Sequence, residues 1–203
     1  MSQYNVLQLE VGNMQNFSYL VYSGSDALVI DTSFGGAKLH EQIKRHNLNL
    51  RYILSTHNHF DHNMDNGFLK RLTNAKIVAH ALSPVDKDIA VEDGGKLVLA
   101  DLTVDVIYTP GHTKDSVCYL LQNECLFTGD TLFVGTCGRV DLPDSNPKDM
   151  FNSLRRICTL KKGIVIYPGH DYGATKTSTV QRECSTNPAI ALNSLEDFIQ
   201  YAL

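Results

Sequence analysis

The chain has 203 residues, of which 43% are hydrophobic and 20% charged, the balance of an ordinary globular protein rather than a disordered or fibrous one. Its formal net charge of −4 gives no electrostatic basis for binding nucleic acid or an anionic membrane, so we expect neither as a partner. The length suits one domain, and we expect residues 1–203 to form it.

Three features of the sequence favour a soluble protein of the cytoplasm. The first residues lack the basic start and apolar stretch of a signal peptide. No apolar run approaches the roughly 20 residues that a membrane helix needs. The five cysteines are scattered and include no Cys-x-x-Cys pair, so we expect neither a disulfide framework nor a thiolate zinc site.

Hydrophobic periodicity and turn residues predict strands and helices that alternate along the chain, beginning with three antiparallel strands. The predicted strands are 6–11, 17–22, 27–30, 51–54, 76–79, 97–99, 102–108, 117–121, 125–128 and 164–167. The predicted helices are 37–46, 68–72, 146–160, 177–184 and 195–202, with a further helix start at Ser83-Pro84. A loop rich in Gly, Pro and Asp spans 132–145. A loop of that length inside a compact domain more often has a function than serves only as a connection.

A dense cluster of potential metal ligands follows the predicted strand 51–54. The segment Ser55-Thr56-His57-Asn58-His59-Phe60-Asp61-His62 holds three histidines and one aspartate, which suit Zn²⁺ and similar divalent metals. Alternate residues of an extended segment point in opposite directions, so His57 and His59 converge only if the backbone turns here. With such a turn, those two histidines serve one metal, while Asp61 and His62 serve a second. A polar loop with solvated histidines is the alternative, but the density of ligands favours a metal site.

Three further polar groups come directly after predicted strands: His112, Asp130 and His170. Loops at one edge of a sheet are where a rigid scaffold carries its reactive groups. We therefore expect these side chains to meet the histidine cluster at one edge of a sheet.

Four motifs occur in order: Thr56-His57-x-His59-x-Asp61-His62, Pro110-Gly111-His112-Thr113, Gly129-Asp130-Thr131-Leu132-Phe133 and Pro168-Gly169-His170. With them, the chain resembles the metallo-β-lactamase superfamily over essentially its whole length. The resemblance implies an α/β fold, the four-layer αββα sandwich, with a metal site along one edge. It also implies two divalent metal ions, zinc with iron or manganese as alternatives. The implied ligands are His57, His59 and His112 for one ion, Asp61, His62 and His170 for the other, and Asp130 as the bridge.

Within the superfamily, the chain is most similar to the glyoxalase II-like branch, through residues 128–139 and through Gly169-His170-Asp171-Tyr172. Those enzymes hydrolyse thioesters of glutathione, and the resemblance implies that Arg139 and Tyr172 contact the substrate. Two departures are that Asp141 replaces a tyrosine of that family and that its separate C-terminal helical domain has no room here. The expected function is metal-dependent hydrolysis of S-acyl-glutathione or a related small-thiol ester.

The persulfide dioxygenases offer a second resemblance, through Cys137-Gly138-Arg139-x-Asp141 and the tail beginning at His170. They oxidise glutathione persulfide with one iron, held by the counterparts of His57, His112 and Asp130. Because they keep the remaining histidines, ligand identity does not separate the two branches. The sequence around Asp130 and Phe60 is more similar to the hydrolases, which favours the hydrolase as the first expectation.

The expected chemistry rests on two carboxylates, Asp61 and Asp130. Two divalent ions about 3.5–4 Å apart lower the pKa of a bridging water, so that hydroxide is available to attack the acyl carbon. Asp130 would bridge the ions, and Asp61 would ligate one ion and hydrogen-bond the hydroxide. Asp31, at a strand end, is either a partner of a ligand histidine or a turn residue. Cys137 has no histidine partner in sequence, which favours an unreactive thiol over a nucleophile.

A module in which the metals only brace the fold is the non-enzymatic alternative. Structural zinc sites are typically closed, four-coordinate and rich in cysteine. The seven expected ligands here are oxygen and nitrogen donors for two ions, so positions stay open for water and substrate. This ligand set favours an enzyme.

Overall fold

The described part of the chain forms two six-stranded sheets, one two-stranded hairpin and seven helices. The structure, a computed structural model, describes residues 4–202. The strands are β1 (Asn5–Val11), β2 (Asn16–Ser23), β3 (Asp26–Ile30), β4 (Asn49–Leu54), β5 (Lys76–His80), β6 (Ile89–Val91), β7 (Lys96–Leu99), β8 (Leu102–Tyr108), β9 (Val117–Leu121), β10 (Cys125–Gly129), β11 (Leu132–Phe133), β12 (Thr136–Cys137), β13 (Val165–Pro168) and β14 (Ser178–Thr179). The helices are α1 (Gly36–Arg45), α2 (Phe60–Asn63), α3 (Asn66–Thr73), α4 (Pro147–Cys158), α5 (Val180–Thr186), α6 (Pro188–Ala191) and α7 (Leu195–Ala202).

The strand order confirms the three antiparallel strands predicted at the start of the chain. The first sheet runs β1-β2-β3-β4-β5-β6; its first three strands are antiparallel and the later pairs are parallel. The second sheet runs β14-β13-β10-β9-β8-β7, with β10 and β13 parallel. Strands β11 and β12 form a separate antiparallel hairpin inside the segment predicted as a loop.

Three apolar clusters show that the layers are stacked as helix, sheet, sheet, helix. One cluster lies between the sheets and contains Tyr19 of β2 and Tyr119 of β9. A second joins the first sheet to α1 and α3, and a third joins the second sheet to α4, α5, α6 and α7. Each fully buried aliphatic side chain in such clusters contributes about 1.5–3 kcal/mol. The predicted four-layer αββα sandwich is therefore confirmed, while one domain over residues 1–203 stays a prediction.

The central strands are almost continuously apolar because their side chains point alternately to two faces, and both faces are covered. On β9, Val117, Tyr119 and Leu121 face the other sheet, whereas Cys118 and Leu120 face the helices. A strand that is covered on both faces exposes neither face to solvent, so it has no polar face. On α1, Leu39 and Ile43 are buried at the predicted i, i+4 spacing.

The expectation that the cysteines form no disulfide is wrong for Cys158 and Cys184. They form a disulfide between α4 and α5, with their Cα atoms 5.7 Å apart, inside the range of about 4.4–6.8 Å that a disulfide spans. The two are 26 residues apart in sequence, so only the packing of the helices brings them together. The free cysteines are Cys118, Cys125 and Cys137.

Two predicted helix boundaries are also wrong. No helix begins at Ser83-Pro84: the hydroxyl of Ser83 accepts a hydrogen bond from the backbone N–H of Val85, and a loop continues to β6. The helix predicted at 177–184 begins later, at Val180. Thr179 caps it by accepting a hydrogen bond from the backbone N–H of Arg182, and the preceding residues pair with β13 instead.

Among residues 4–202 we find no helix with the length and apolar content that crossing a bilayer requires.

Candidate metal centre

The turn needed to bring the clustered histidines together occurs at His59. This residue has extended backbone angles and is the N-cap of α2, so His57 and His59 precede the helix while Asp61 and His62 lie within its single turn. The other predicted ligands arrive from the second sheet, in the loops after β8, β10 and β13. All seven predicted ligand residues therefore meet at one edge of the sandwich.

The ligand atoms form three overlapping groups, within each of which all atoms lie within 4.8 Å of one another. The groups are His57/His59/His112, His57/His62/Asp130 and Asp61/His62/His170. Asp130 lies between the first and last: its Oδ1 is 3.2 Å from Nε2 of His62, and its Oδ2 is 3.5 Å from Nε2 of His112 and 3.4 Å from Nε2 of His170.

Ring nitrogens of different histidines face one another at close range. Nδ1 of His59 is 3.2 Å from Nε2 of His57 and 2.9 Å from Nε2 of His112. Nε2 of His62 is 3.1 Å from Nε2 of His170. The opposite nitrogens, Nδ1 of His62, His112 and His170, lie 2.8–2.9 Å from the Asp31 carboxylate and from the backbone carbonyls of Arg139 and Met14. Nδ1 is the donor in each of these contacts, so Nε2 is the nitrogen that each of the three histidines directs into the cluster.

This donor set fits divalent cations. Ring nitrogens this close repel each other unless a proton or a metal cation lies between them. Four of the five predicted ligand histidines have the outer hydrogen bond typical of metal-bound imidazole: His57, His62, His112 and His170. Oδ1 of Asp130 is buried and has no hydrogen-bond partner among the described residues. A buried carboxylate oxygen without a partner is costly in a metal-free site.

The electrostatics differ between the histidines of the cluster: burial alone would lower the pKa of His62 and His170, but the Asp130 carboxylate outweighs it and raises both above the ordinary value. Burial, followed by the neighbouring His62, lowers the pKa of His57 well below its ordinary value, so its imidazole is neutral. Burial opposes ionisation of Asp130, but His62 and His170 outweigh it and hold the pKa of that carboxyl well below its ordinary value. Asp130 is therefore a carboxylate at neutral pH.

Asp31 is confirmed as the partner of a ligand histidine. Its carboxylate accepts hydrogen bonds from the backbone N–H and the hydroxyl of Thr56 at 2.8 and 2.7 Å, as well as from His62. Sequence reasoning missed Asn16, whose buried side chain donates to Oδ2 of Asp61 at 3.0 Å. No pattern in the sequence marks Asn16, because it lies 45 positions before Asp61 at the start of β2.

Close packing excludes a side chain at two glycines of the motifs. A Cβ at Gly169 would collide with Oδ1 of Asp130. Gly129 has φ +48°, which favours glycine, and a Cβ there would collide with Thr56. These glycines let the loops after β10 and β13 approach the ligands.

A cavity of about 510 Å³ opens over the cluster, and both predicted substrate contacts line it. Tyr172 is half exposed, and its ring stacks on His170 with 4.6 Å between centroids. Arg139 forms a two-bond ion pair with Asp141, in which Nε and Nη2 each lie 2.6 Å from a carboxylate oxygen. Cys137 also lines the cavity, but burial raises the pKa of its thiol to about 12, so it is not a ready nucleophile.

Comparison with known proteins finds two kinds of relative. Human "Persulfide dioxygenase ETHE1, mitochondrial" is 34% identical over 190 residues, which cover 91% of this chain and 74% of the relative. "Hydroxyacylglutathione hydrolase" of Francisella tularensis subsp. novicida is 39% identical over 165 residues, which cover 79% of this chain and 64% of the relative. The crystal structure of ETHE1 from Myxococcus xanthus matches with a TM-score of 0.91 and 31% identity, over 98% of this chain and 89% of that one.

The family model described as the Metallo-beta-lactamase superfamily matches residues 11–87 and 82–170, which include all seven predicted ligands. Members of this family bind divalent metals through clusters of histidine and aspartate, and clusters of that kind are present here. The chain therefore belongs to the Metallo-beta-lactamase superfamily.

Proposed function

We propose that this chain is a metallohydrolase with two metal ions that cleaves thioesters of small thiols, S-acyl-glutathione among them. The observation that carries the proposal is the presence of two complete three-residue ligand groups with Asp130 between them. The 39% identity to a hydroxyacylglutathione hydrolase supports the reaction class.

In this proposal each ligand group would hold one divalent ion, and Asp130, which lies between the groups, would be available to both. The first group is His57, His59 and His112, and the second is Asp61, His62 and His170. Zinc is the proposed metal, with iron or manganese as alternatives, because imidazole and carboxylate donors suit all three. When bound, such ions supply hydroxide near neutral pH by lowering the pKa of water between them.

Asp61 is the proposed acceptor for the proton of the attacking water. The amide of Asn16 fixes Oδ2 of Asp61, which lies 3.5 Å from Nε2 of both His62 and His170. Hydrolysis forms a C–O bond at the acyl carbon and breaks the C–S bond. The electron pair leaves with the sulfur, and because a free thiol has a pKa of about 8.5, the thiolate departs without a dedicated acid.

Arg139 and Tyr172 are the proposed contacts of the substrate's thiol portion. Both side chains are exposed at the cavity, so a substrate can reach them. Since the guanidinium is already paired with Asp141, a substrate carboxylate must share it or displace that partner. A substrate amide, which can bond to either member of the pair, suits this rim as well.

A persulfide dioxygenase is the second candidate, favoured by one specific finding. The human persulfide dioxygenase aligns over 91% of this chain, compared with 79% for the hydrolase. Two histidines and one carboxylate suffice for the single iron of many oxygenases, and His57, His112 and Asp130 would serve here. The substrates would be molecular oxygen and a glutathione persulfide.

To distinguish the two candidates, one protein preparation is divided and loaded separately with zinc, iron or manganese. Each portion is then assayed for both activities. Thioester hydrolysis is followed by ultraviolet absorbance, and persulfide oxidation with an oxygen electrode. We expect thioester turnover that disappears on chelation and returns with metal. Inert behaviour on a thioester panel, together with oxygen uptake by the iron form, would replace the hydrolase with the dioxygenase.

Asp130→Ala provides the internal test of the site. We expect it to abolish turnover while circular dichroism shows retained structure, because the three apolar clusters do not include Asp130. His46→Ala, at an exposed histidine just past α1, is the matched control and should retain turnover. If Asp130→Ala keeps more than a tenth of wild-type turnover, Asp130 is not the shared ligand.

A further inference from the structure

The cavity over the ligand cluster has an apolar wall, formed by Met14, Phe60, Phe133 and Tyr172. Three of these side chains are strongly exposed for their type: Met14 by 40%, Phe60 by 57% and Tyr172 by 51%. Single exposed apolar residues are normal on a protein surface, but a group around one opening is typical of a binding site.

The apolar wall is built directly onto the ligand residues. The backbone carbonyl of Met14 lies 2.9 Å from Nδ1 of His170, and Tyr172 stacks on the ring of His170. Phe133 meets the rings of His170 and Tyr172 edge-on, at 5.8 and 5.2 Å between centroids. Phe60 stands between two ligand residues at the start of α2. A substrate whose reacting carbon lies at the cluster therefore places its neighbouring atoms against apolar side chains.

The charged side chains at the rim of the same cavity nearly cancel one another. Among the described residues that line it, Arg139 is the single lysine or arginine, and Asp141 matches its charge through two hydrogen bonds. The cavity thus lacks an unpaired cation that would select strongly anionic substrates. Apolar contact is the larger source of selectivity that its lining offers.

We propose that this cavity selects thioesters whose acyl group is large and apolar over those with a small hydroxylated acyl group. The inference rests on the proposed hydrolase function and names its substrate class. An aryl or long alkyl substituent packs against Phe60 and Met14, and an aryl ring gains further from edge-on or offset contact with the ring of Phe60. The hydroxyl of a lactoyl group gains no comparable binding free energy from contact with the same apolar wall.

The kinetic test uses two thioesters of the same thiol, S-phenylacetylglutathione and S-lactoylglutathione, with the zinc-loaded protein. We expect kcat/KM to be at least tenfold higher for the phenylacetyl ester. Met14→Ala and Phe60→Ala should each lower that ratio about fivefold, with metal content measured alongside. Val98→Ala removes an apolar side chain that is 61% exposed outside the cavity, and should leave the ratio unchanged.

A binding test keeps this inference separate from the proposed function. Isothermal titration of the zinc-loaded protein with S-hexylglutathione and S-methylglutathione, which are not thioesters, should show at least tenfold tighter binding of the hexyl compound. That result without any thioester turnover would overturn the hydrolase proposal and leave the apolar selectivity standing. Turnover with a preference for lactoyl, or equal affinity for the two S-alkyl compounds, would overturn the selectivity and leave the hydrolase standing.

Discussion

Oδ2 of Asp31 lies 2.9 Å from Nδ1 of His62, and both side chains are buried. Asp31 directly follows β3, 31 positions before its partner in sequence. By accepting a hydrogen bond from Nδ1–H of His62, it directs Nε2 of that ring into the ligand cluster. A carboxylate in this outer position orients a metal ligand and raises its basicity.

Asp31→Asn should weaken metal binding without removing a ligand. The neutral amide is a poorer acceptor, and loss of such an outer partner typically lowers metal affinity by about 10–100-fold. Zinc affinity is measured by competition with a chromophoric chelator. Asp26→Asn, at the other end of β3, is the matched control and should bind zinc as the wild type does. Unchanged zinc affinity in Asp31→Asn would show that Asp31 serves only the turn around Thr56.

Glu183 holds the hairpin of β11 and β12 beside the site. Its buried carboxylate accepts hydrogen bonds from the backbone N–H of Gly135 and the side chain of Asn187, both at 2.8 Å, and from the hydroxyl of Ser178. Asn187 in turn donates to the carbonyl of Thr136 at 3.1 Å. These contacts connect α5 to the hairpin that carries Phe133.

Glu183→Gln should lower stability and loosen that hairpin. The amide oxygen can keep the bonds from Gly135 and Asn187 only if the N–H₂ faces the Ser178 hydroxyl, which must then accept, and replacing charged by neutral hydrogen bonds costs about 1 kcal/mol. Urea unfolding measures the loss, and KM should rise more than kcat falls because Phe133 lines the cavity. Glu196→Gln, exposed on α7, should change neither quantity. A Glu183→Gln variant with wild-type unfolding midpoint and KM would contradict this role.

The disulfide between Cys158 and Cys184 should contribute measurably to stability. It links residues that are 26 positions apart, for which the chain-entropy relation gives about 3.5 kcal/mol. Urea unfolding with and without dithiothreitol should show a lower midpoint for the reduced protein, and Cys158→Ser/Cys184→Ser should match the reduced form. Thiol titration of the unreduced, denatured protein should find the free cysteines Cys118, Cys125 and Cys137. Five titrating thiols, with no effect of reductant, would contradict the disulfide.

The thiol of Cys137 should stay protonated at any pH where the protein is assayed. Burial raises its pKa to about 12, above the ordinary value, so the fraction of reactive thiolate stays very small below about pH 10. Alkylation by iodoacetamide, read by mass spectrometry at Cys137, should rise steadily with pH and show no inflection between pH 6 and 10. An inflection below pH 9 would mean that a nearby positive charge stabilises the thiolate.

The convergence of the seven candidate ligands could be predicted from sequence because they lie in loops, or in the short helix α2, that come after strands revealed by the hydrophobic pattern. His112 and Asp130 are examples: the pattern locates β8 and β10, and the ends of neighbouring strands meet at one edge. The alternation of strands and helices indicated an α/β chain, and the four-layer sandwich was implied by the family resemblance that the four motifs carry.

The contacts that could not be predicted depend on packing between distant segments. Asn16 meets Asp61 only after β2 lies beside the loop that follows β4, and Cys158 meets Cys184 only after α4 and α5 pack together. The start of α5 at Val180 was misplaced because Ser178 and Thr179 pair with β13, a tertiary contact that overrides local propensity. The missing information was which distant segments come together in space, and residue type does not supply it.

Metal stoichiometry tests the central claim most directly. Elemental analysis of freshly purified and of zinc-loaded protein, paired with thioester assays on the same samples, measures ions per chain against turnover. The proposal predicts two divalent ions per chain, with hydrolysis appearing as the second ion binds, because the two ligand groups share Asp130. Saturation at one iron per chain in protein that consumes oxygen with persulfide and leaves thioesters intact would contradict it.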